Sequence, residues 1–258
     1  MTPEGPAADV PEELLAETIA RFGGPVRRQA VEALRQLGAV DRAVYAAIAA
    51  TPTPSWDEPM RRLSNAANYS GLWLGIAAGC AAVGGPAGRR AAAQGTLAIA
   101  ATSALVNLGV KSAWSRPRPD RAGAGVPGQR NVHMPASTSF PSGHAASGFA
   151  FATAIGRDEP WLGTGLRFLA AAVAYSRVHT GVHYPGDIVV GALIGASVGQ
   201  AVAGLVDRMW PAPAEPPAPP TAAAPPQETS RSRRVPRRRR RAQSAAGLAF
   251  LAPGRVVR

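Results

Sequence analysis

Three long stretches without a charged residue constrain what this chain of 258 residues can fold into. They are Leu63–Gly88, Ala91–Val110 and Ile188–Val206, with lengths of 26, 20 and 19 residues. A helix needs about 20 mainly apolar residues to cross the hydrocarbon core of a bilayer. The pattern therefore predicts transmembrane helices and disfavours the alternative, a soluble helical bundle with buried helices.

Two weaker apolar segments, Ala145–Gly156 and Trp161–Ser176, lie between the second and third of these blocks. The first is short and the second contains Arg167, so each needs neighbouring helices or a snorkelling side chain in order to span. Small residues are frequent throughout, which suits close packing of helices in lipid. We therefore expect an all-α integral membrane helical bundle of about five to six spans.

The region before this membrane domain, residues 1–60, is more polar. Within it, Pro11–Phe22 predicts a short helix, and Arg27–Ala50 predicts one or two amphipathic helices. The amphipathic segment is too charged to span a bilayer, so it lies on the membrane surface or packs against the core. Thr51–Glu58 predicts a proline-containing break.

The region after the membrane domain, residues 209–258, is rich in Pro and Ala and then in Arg, which predicts a disordered basic tail. Its ten Arg and two Glu give +8 of the net charge of +12. The charge is therefore concentrated in the tail, and we do not expect the core to bind nucleic acid. A single cysteine, Cys80, excludes an internal disulfide and any multi-cysteine metal site.

Polar residues with catalytic potential collect at the ends of the predicted spans. Lys111 ends one span, and Arg118-Pro119 follows after six intervening residues. Pro141-Ser142-Gly143-His144 opens the next apolar segment. Ser176-Arg177 closes the fourth, and His183 and Asp187 follow it. If the arginine-rich tail is cytoplasmic, all of these groups lie on the outer face, and the basic loops lie inside. The same count places the N-terminal region outside, unless Arg42–Arg62 contributes a further crossing.

These residue types suit phosphoryl transfer. Lys111, Arg118 and Arg177 supply cations for a tetrahedral anion, and Ser142 with the Gly143 N–H completes the cradle. His183 is the candidate nucleophile, which forms a phosphohistidine. Asp187, four residues later, can orient the His183 ring, and His144 can protonate the leaving oxygen and then activate water. The sequence has no carboxylate cluster for Mg²⁺, so we expect neither a metal nor a cofactor. Arg116, Arg121, His133 and His179 are interpreted as residues outside the site.

The three motifs resemble those of the type 2 phosphatidic acid phosphatase family, which shares them with vanadium haloperoxidases and glucose-6-phosphatase. The family pattern is a Lys six residues before Arg-Pro, then Pro-Ser-Gly-His, then Ser-Arg five residues before a His with an Asp beyond it. Every position is matched here, over about residues 61–208. The resemblance implies an all-helical, metal-independent phosphatase with His183 as nucleophile and His144 as acid and base. It also implies Lys111, Arg118, Ser142, Gly143 and Arg177 around the phosphate.

A multi-pass enzyme of the plasma membrane with an extracytoplasmic site suits an amphiphilic substrate, because the headgroup enters the cationic site while the chain stays in lipid. Phosphatidate-like and polyprenyl (pyro)phosphate substrates are both compatible, and membrane lipids are the expected partners. One alternative is a vanadate-dependent haloperoxidase, which the hydrophobic blocks disfavour. Another is a non-catalytic membrane protein whose basic tail binds anionic lipid or RNA, which leaves the motifs unexplained. The sequence does not determine the oligomeric state.

Overall fold

The computed structural model of the protein describes residues 24–211. Over this range it is all-helical, with seven α-helices of 13 residues or more and no β-strand. The helices are α1 (Pro25–Ala50), α2 (Pro54–Ala66), α3 (Gly71–Val83), α4 (Gly85–Ala104), α5 (Gly143–Ile155), α6 (Pro160–His179) and α7 (Pro185–Met209). The predicted Pro11–Phe22 helix and the predicted disordered tail lie outside the described residues.

Helix α5 is the centre of the bundle, and it packs against α4, α6 and α7. Its sequence is small or apolar on every side, so it has no face that favours water. Helix α7 approaches it through Gly191, Gly195 and Gly199, where a Cβ atom would overlap backbone carbonyl oxygens of α5 and the residue before it. This close approach fixes the starts of α5 and α7 next to each other.

Two helices are long and apolar enough to cross a membrane within the described part of the chain. The first is α4 with its extension through a π-helical segment, Leu105–Val110, to Ala113, and the second is α7. Both correspond to predicted uncharged blocks, and the protein is a membrane protein. Helices α2 and α3 meet the same criterion together, as a pair bent by 63°. The larger number of spans, about five to six, stays a prediction.

The helix over the block Leu63–Gly88, which was predicted to span the membrane, is bent. An elbow, Asn68–Ser70, divides it, and the helix restarts at Gly71. Tyr69 and Ser70 have φ angles of 53° and 60°, in the left-handed region that interrupts an α-helix. The elbow itself was not predicted, because nothing in its residue types signals left-handed backbone.

The segment Arg27–Ala50, predicted as one or two amphipathic helices, lies in a single helix, α1, and the break that follows it is shorter than predicted. The chain is non-helical only at residues 51–53, because Pro54 occupies the first turn of α2, where proline is tolerated. Arg130, in the long α4–α5 loop, is fully buried and donates hydrogen bonds to Asp57, to the carbonyls of Ile48, Ala49 and Thr51, and to Thr53. This arginine joins the α1–α2 connection to the loop that leads to α5.

An ion cluster lies at the opposite end of the bundle from the predicted site residues. Arg90, which is 3% exposed, pairs with Asp158 and Asp207, and Asp207 also pairs with Arg157. Arg90 is near the start of α4, Asp158 follows α5, and Asp207 is near the end of α7. The cluster therefore ties together the far ends of the three helices whose other ends carry Lys111, His144 and Asp187.

Candidate active site

The predicted site residues lie at helix ends that meet on one side of the bundle. Lys111 lies at the end of the extension of α4 that continues to Ala113, and Ser142 and His144 lie where α5 begins. Arg177 is in the last turn of α6, and His183 is in the short connection before α7. Because α5 and α7 run side by side from adjacent starts, His144 and Asp187 are held on the same face of the bundle.

His183 and Asp187 form a buried pair. The His183 Nδ1 atom lies 3.4 Å from the Asp187 Oδ2 atom, and the two residues are 2% and 0% exposed. Asp187 also accepts hydrogen bonds from the Tyr184 N–H at 2.9 Å and from the Ser139 hydroxyl. A carboxylate held this way favours the tautomer in which Nδ1 carries the proton, so that Nε2 keeps its lone pair.

The environment of His183 keeps its ring neutral. Burial lowers the pKa of His183 to about 4, although the hydrogen bond to Asp187 raises it, and the charges of Arg118 and Arg177 lower it further. At neutral pH the Nε2 lone pair is therefore available to attack an electrophile.

The Nη1 atom of Arg118 lies 3.3 Å from the Nε2 atom of His183. Its guanidinium donates to the backbone carbonyls of Val182 at 2.8 Å, Ser137 at 2.9 Å and Thr138 at 3.1 Å. The Lys111 Nζ atom lies 3.4 Å from the Ser137 hydroxyl, so the same loop joins the two cations. Neutral oxygens orient Arg118 without cancelling its charge.

Arg177 is 1% exposed, and its Nη1 atom donates to the Ser64 hydroxyl. Its Nε atom is buried and has no hydrogen-bond partner within the described residues. Across residues 24–211, none of Lys111, Arg118 and Arg177 forms an ion pair with a carboxylate. Three cations without a carboxylate partner, on the side of the bundle where His183 lies, are suited to bind an anion.

The N-terminal end of α5 also favours an anion. The Ser142 hydroxyl is buried and accepts a hydrogen bond from the Ala145 N–H at 3.4 Å, which caps the helix, while the Ser142 N–H donates to the Asp187 carbonyl at 3.0 Å. Nothing lies within 4 Å of the position that a Cβ atom would take at Gly143. The helix N-terminus therefore faces open space, and a helix N-terminus favours an anion.

A cavity of about 200 Å³ adjoins this helix start. Lys111, Gly143 and His144 line it, together with Ser103 from α4 and Asn107 from the π-helical segment, but His183 does not. The cavity therefore lies on the His144 side of the site.

Several contacts at the site were not predicted from the sequence. Arg116, interpreted above as a residue outside the site, instead joins Asp187 to Asp41 of α1, with both N–O distances at 2.7 Å. Arg121, also interpreted as outside the site, donates to the backbone carbonyls of Gly181 and Val132. Neither Asp41 nor Ser139 belongs to a motif, and a local pattern has no signal for their approach to Asp187.

The Nε2 atom of His144 lies 3.0 Å from the Asn68 Oδ1 atom in the elbow between α2 and α3. His179, interpreted above as outside the site, is buried beside Asp57, with Nε2 and Oδ1 3.0 Å apart. In the part of the chain that the structure describes, no group of three or more His, Cys, Asp or Glu side chains is placed to hold a metal ion.

A family model of the PAP2 superfamily matches residues 92–210 of the chain. The decaprenylphosphoryl-5-phosphoribose phosphatase of Mycobacterium tuberculosis (strain H37Rv) is 42% identical over 96 residues, which cover 36% of this chain and 49% of that protein. The protein of the same name from Mycolicibacterium smegmatis is 36% identical over 161 residues, which cover 62% of this chain and 83% of that protein. The match thus spans about half the length of the first relative and most of the second.

A crystal structure of a transmembrane PAP2 type phosphatidylglycerolphosphate phosphatase from Bacillus subtilis superposes on this fold with a TM-score of 0.51. The superposition covers 76% of this chain and 92% of that one, at 22% sequence identity. At this identity the similarity is one of fold.

Proposed function

This chain belongs to the PAP2 superfamily, and from that premise we propose that it is a membrane-bound, metal-independent phosphohydrolase of a lipid phosphate. The observation that carries the proposal is a set of three cations without carboxylate partners in residues 24–211: Arg118, which lies 3.3 Å from the Nε2 atom of His183, and Lys111 and Arg177 on the same side of the bundle. Such a set stabilises a phosphoryl group whose negative charge spreads over its outer oxygens in the transition state.

The reaction proceeds in two displacements. In the first, the Nε2 atom of His183 forms a bond to phosphorus, the bond from phosphorus to the ester oxygen breaks, and His144 gives a proton to the departing oxygen. In the second, His144 takes a proton from water, the water oxygen attacks phosphorus, and the phosphorus–nitrogen bond breaks to release phosphate. Asp187 holds the His183 Nδ1–H throughout, and it stabilises the positive charge that the ring acquires.

A lipid phosphate is the proposed substrate class because the site lies at the ends of membrane helices. The mycobacterial relatives are named for a decaprenyl-linked phosphoribose, which favours a polyprenyl-linked phosphate, and a phosphatidate-like lipid suits the same site. We place the site on the extracytoplasmic face of the plasma membrane. Arg89, Arg90 and Arg157 lie at the other end of the bundle. Cytoplasmic loops of membrane proteins are enriched in basic residues, so that other end is assigned to the cytoplasm.

The test is phosphate release by the purified protein from a panel of lipid phosphates in mixed micelles. We expect turnover by the wild type and none by His183→Ala, with equal amounts of both proteins inserted in the membrane. The matched control is His133→Ala, since His133 is exposed in the α4–α5 loop and belongs to no motif. Turnover by His183→Ala at the wild-type rate contradicts the mechanism.

A further inference from the structure

The elbow that divides α2 from α3 delivers a polar side chain to His144. Asn68 is 76 positions from His144 in the sequence, yet its Oδ1 atom lies 3.0 Å from the His144 Nε2 atom. Asn68 also lies outside residues 92–210, the part of the chain that the family model matches. The contact therefore comes from a segment that the three motifs do not include.

The backbone around Asn68 is held in an unusual conformation. Tyr69 and Ser70, the next two residues, both have left-handed φ and ψ angles, which only glycine adopts without cost. Left-handed non-glycine residues persist where the surrounding structure determines the conformation, and they cluster at functional sites. Here the two residues turn the chain by 63° between α2 and α3, and this turn brings Asn68 against α5.

The chemistry of the contact determines which ring nitrogen of His144 carries the proton. An amide oxygen only accepts, so the Nε2 atom of His144 carries a proton and donates it to Asn68. The remaining ring nitrogen, Nδ1, is then the atom that exchanges a proton with the substrate. Asn68 keeps accepting from Nε2 when the ring is positively charged, so the same contact supports both protonation states of His144.

We propose that Asn68 is a positioning residue for His144, and that it makes proton donation to the leaving oxygen efficient by fixing the tautomer and the orientation of the ring. This inference rests on the proposed function, since it assigns a role within that reaction. Asn68 hydrogen-bonds to His144, and its proposed role is exerted through His144 alone.

The proposal predicts that the loss of activity on replacing Asn68 increases with the basicity of the leaving group. An alkoxide leaves only if it is protonated, whereas 4-nitrophenolate leaves without a proton. The specificity constant kcat/KM reports the first displacement, in which His144 acts as the acid. We therefore compare kcat/KM for a dialkylglycerol phosphate and for 4-nitrophenyl phosphate, in the same detergent, for the full-length wild type and each variant.

For Asn68→Ala we expect kcat/KM to fall about 10-fold or more with the alkyl phosphate and less than about 3-fold with the aryl phosphate. His144→Ala is expected to show the same selectivity, and Asn65→Ala, an exposed asparagine three residues away, is expected to match the wild type with both substrates. The ratio of the two kcat/KM values cancels the fraction of folded enzyme, so a loss of folded protein does not imitate the effect.

Asn68→Asp keeps the acceptor and adds a negative charge beside the ring. It is expected to recover most of the alkyl phosphate activity and to move the basic limb of its pH profile to higher pH. The charged and titratable groups that face His144 are Lys111, Arg118, Arg177 and His183, and all of them are unchanged in this variant.

An Asn68→Ala variant with the wild-type ratio of the two kcat/KM values overturns the inference, whether both values are normal or both are reduced. An Asn68→Asp variant with an unshifted pH profile also contradicts it. The proposed function fails separately, if the wild type hydrolyses neither substrate.

Discussion

Replacement of Arg116 by alanine tests whether the ion pairs of this residue hold α1 against the candidate active site. The guanidinium of Arg116 bridges Asp41 on α1 and Asp187 on α7, with N–O distances of 2.7 Å to each. The side chains of Asp187 and Asp41 are only 0% and 11% exposed, and that of Arg116 is 24% exposed. The Arg116 guanidinium also lies over the Tyr184 ring, 4.2 Å from its centroid.

Removing one partner of a fully buried ion pair costs about 3–5 kcal/mol, because the other charge stays in a poorly solvated place. Arg116 is partly exposed, and both carboxylates keep other donors, namely Gly186 N–H for Asp41 and Ser139 and Tyr184 N–H for Asp187. We therefore expect Arg116→Ala to lower the free energy of unfolding by about 2–4 kcal/mol. We also expect a lower kcat, because Asp187 loses one of the contacts that keep it aligned with His183.

The assay is thermal unfolding in detergent, with Arg62→Ala as the matched control. Arg62 also pairs with a carboxylate, Glu58, but the two side chains are 78% and 43% exposed. Its loss is expected to cost about 0–1 kcal/mol, as is usual for surface ion pairs. The loss of stability in Arg116→Lys is expected to lie between those of Arg116→Ala and Arg62→Ala, because an ammonium cannot span two carboxylates as a planar guanidinium does. Equal unfolding temperatures for Arg116→Ala and Arg62→Ala refute the reasoning.

Three further predictions concern packing, pH and metals. Gly195→Ala places a Cβ atom on the Ala146 carbonyl oxygen and is expected to lower the free energy of unfolding by about 1–3 kcal/mol. Gly204→Ala, on the same helix, meets nothing within 4 Å and is expected to be neutral or stabilising. The unfolding temperatures of the two variants test this difference. Since burial lowers the pKa of His183 from 6.5 to about 4, the unfolded chain binds the proton more readily between these values. Stability is therefore expected to fall as the pH falls from 6.5 to 4, and to fall less in His183→Gln; equal pH dependence in both proteins argues against a neutral buried His183. Excess EDTA is expected to leave phosphate release unchanged, and a loss that Mg²⁺ restores contradicts a metal-independent reaction.

The residue pattern alone was enough to locate the long apolar helices and to predict which residues carry the chemistry. Charge-free blocks report the cost of placing charges in lipid, so they predicted the positions of α4 and α7. The spacing from Lys111 to Arg118 and from Arg177 to His183 suits phosphoryl transfer because these residue types, at helix ends, can surround one anion. This reasoning needs only the identity and the order of neighbouring residues.

Only the tertiary structure decided which other side chains support these residues. Asn68 meets His144, Ser64 meets Arg177, and Asp41 reaches Asp187 through Arg116, across 76, 113 and 71 or more positions of sequence. A local pattern reports the face of its own helix, and it has no information about which distant polar residue lies opposite after the helices pack. The elbow that places Asn68 depends on left-handed backbone at Tyr69 and Ser70, which are residue types that rarely adopt it. Packing therefore determines this conformation, because no intrinsic preference of either residue favours it.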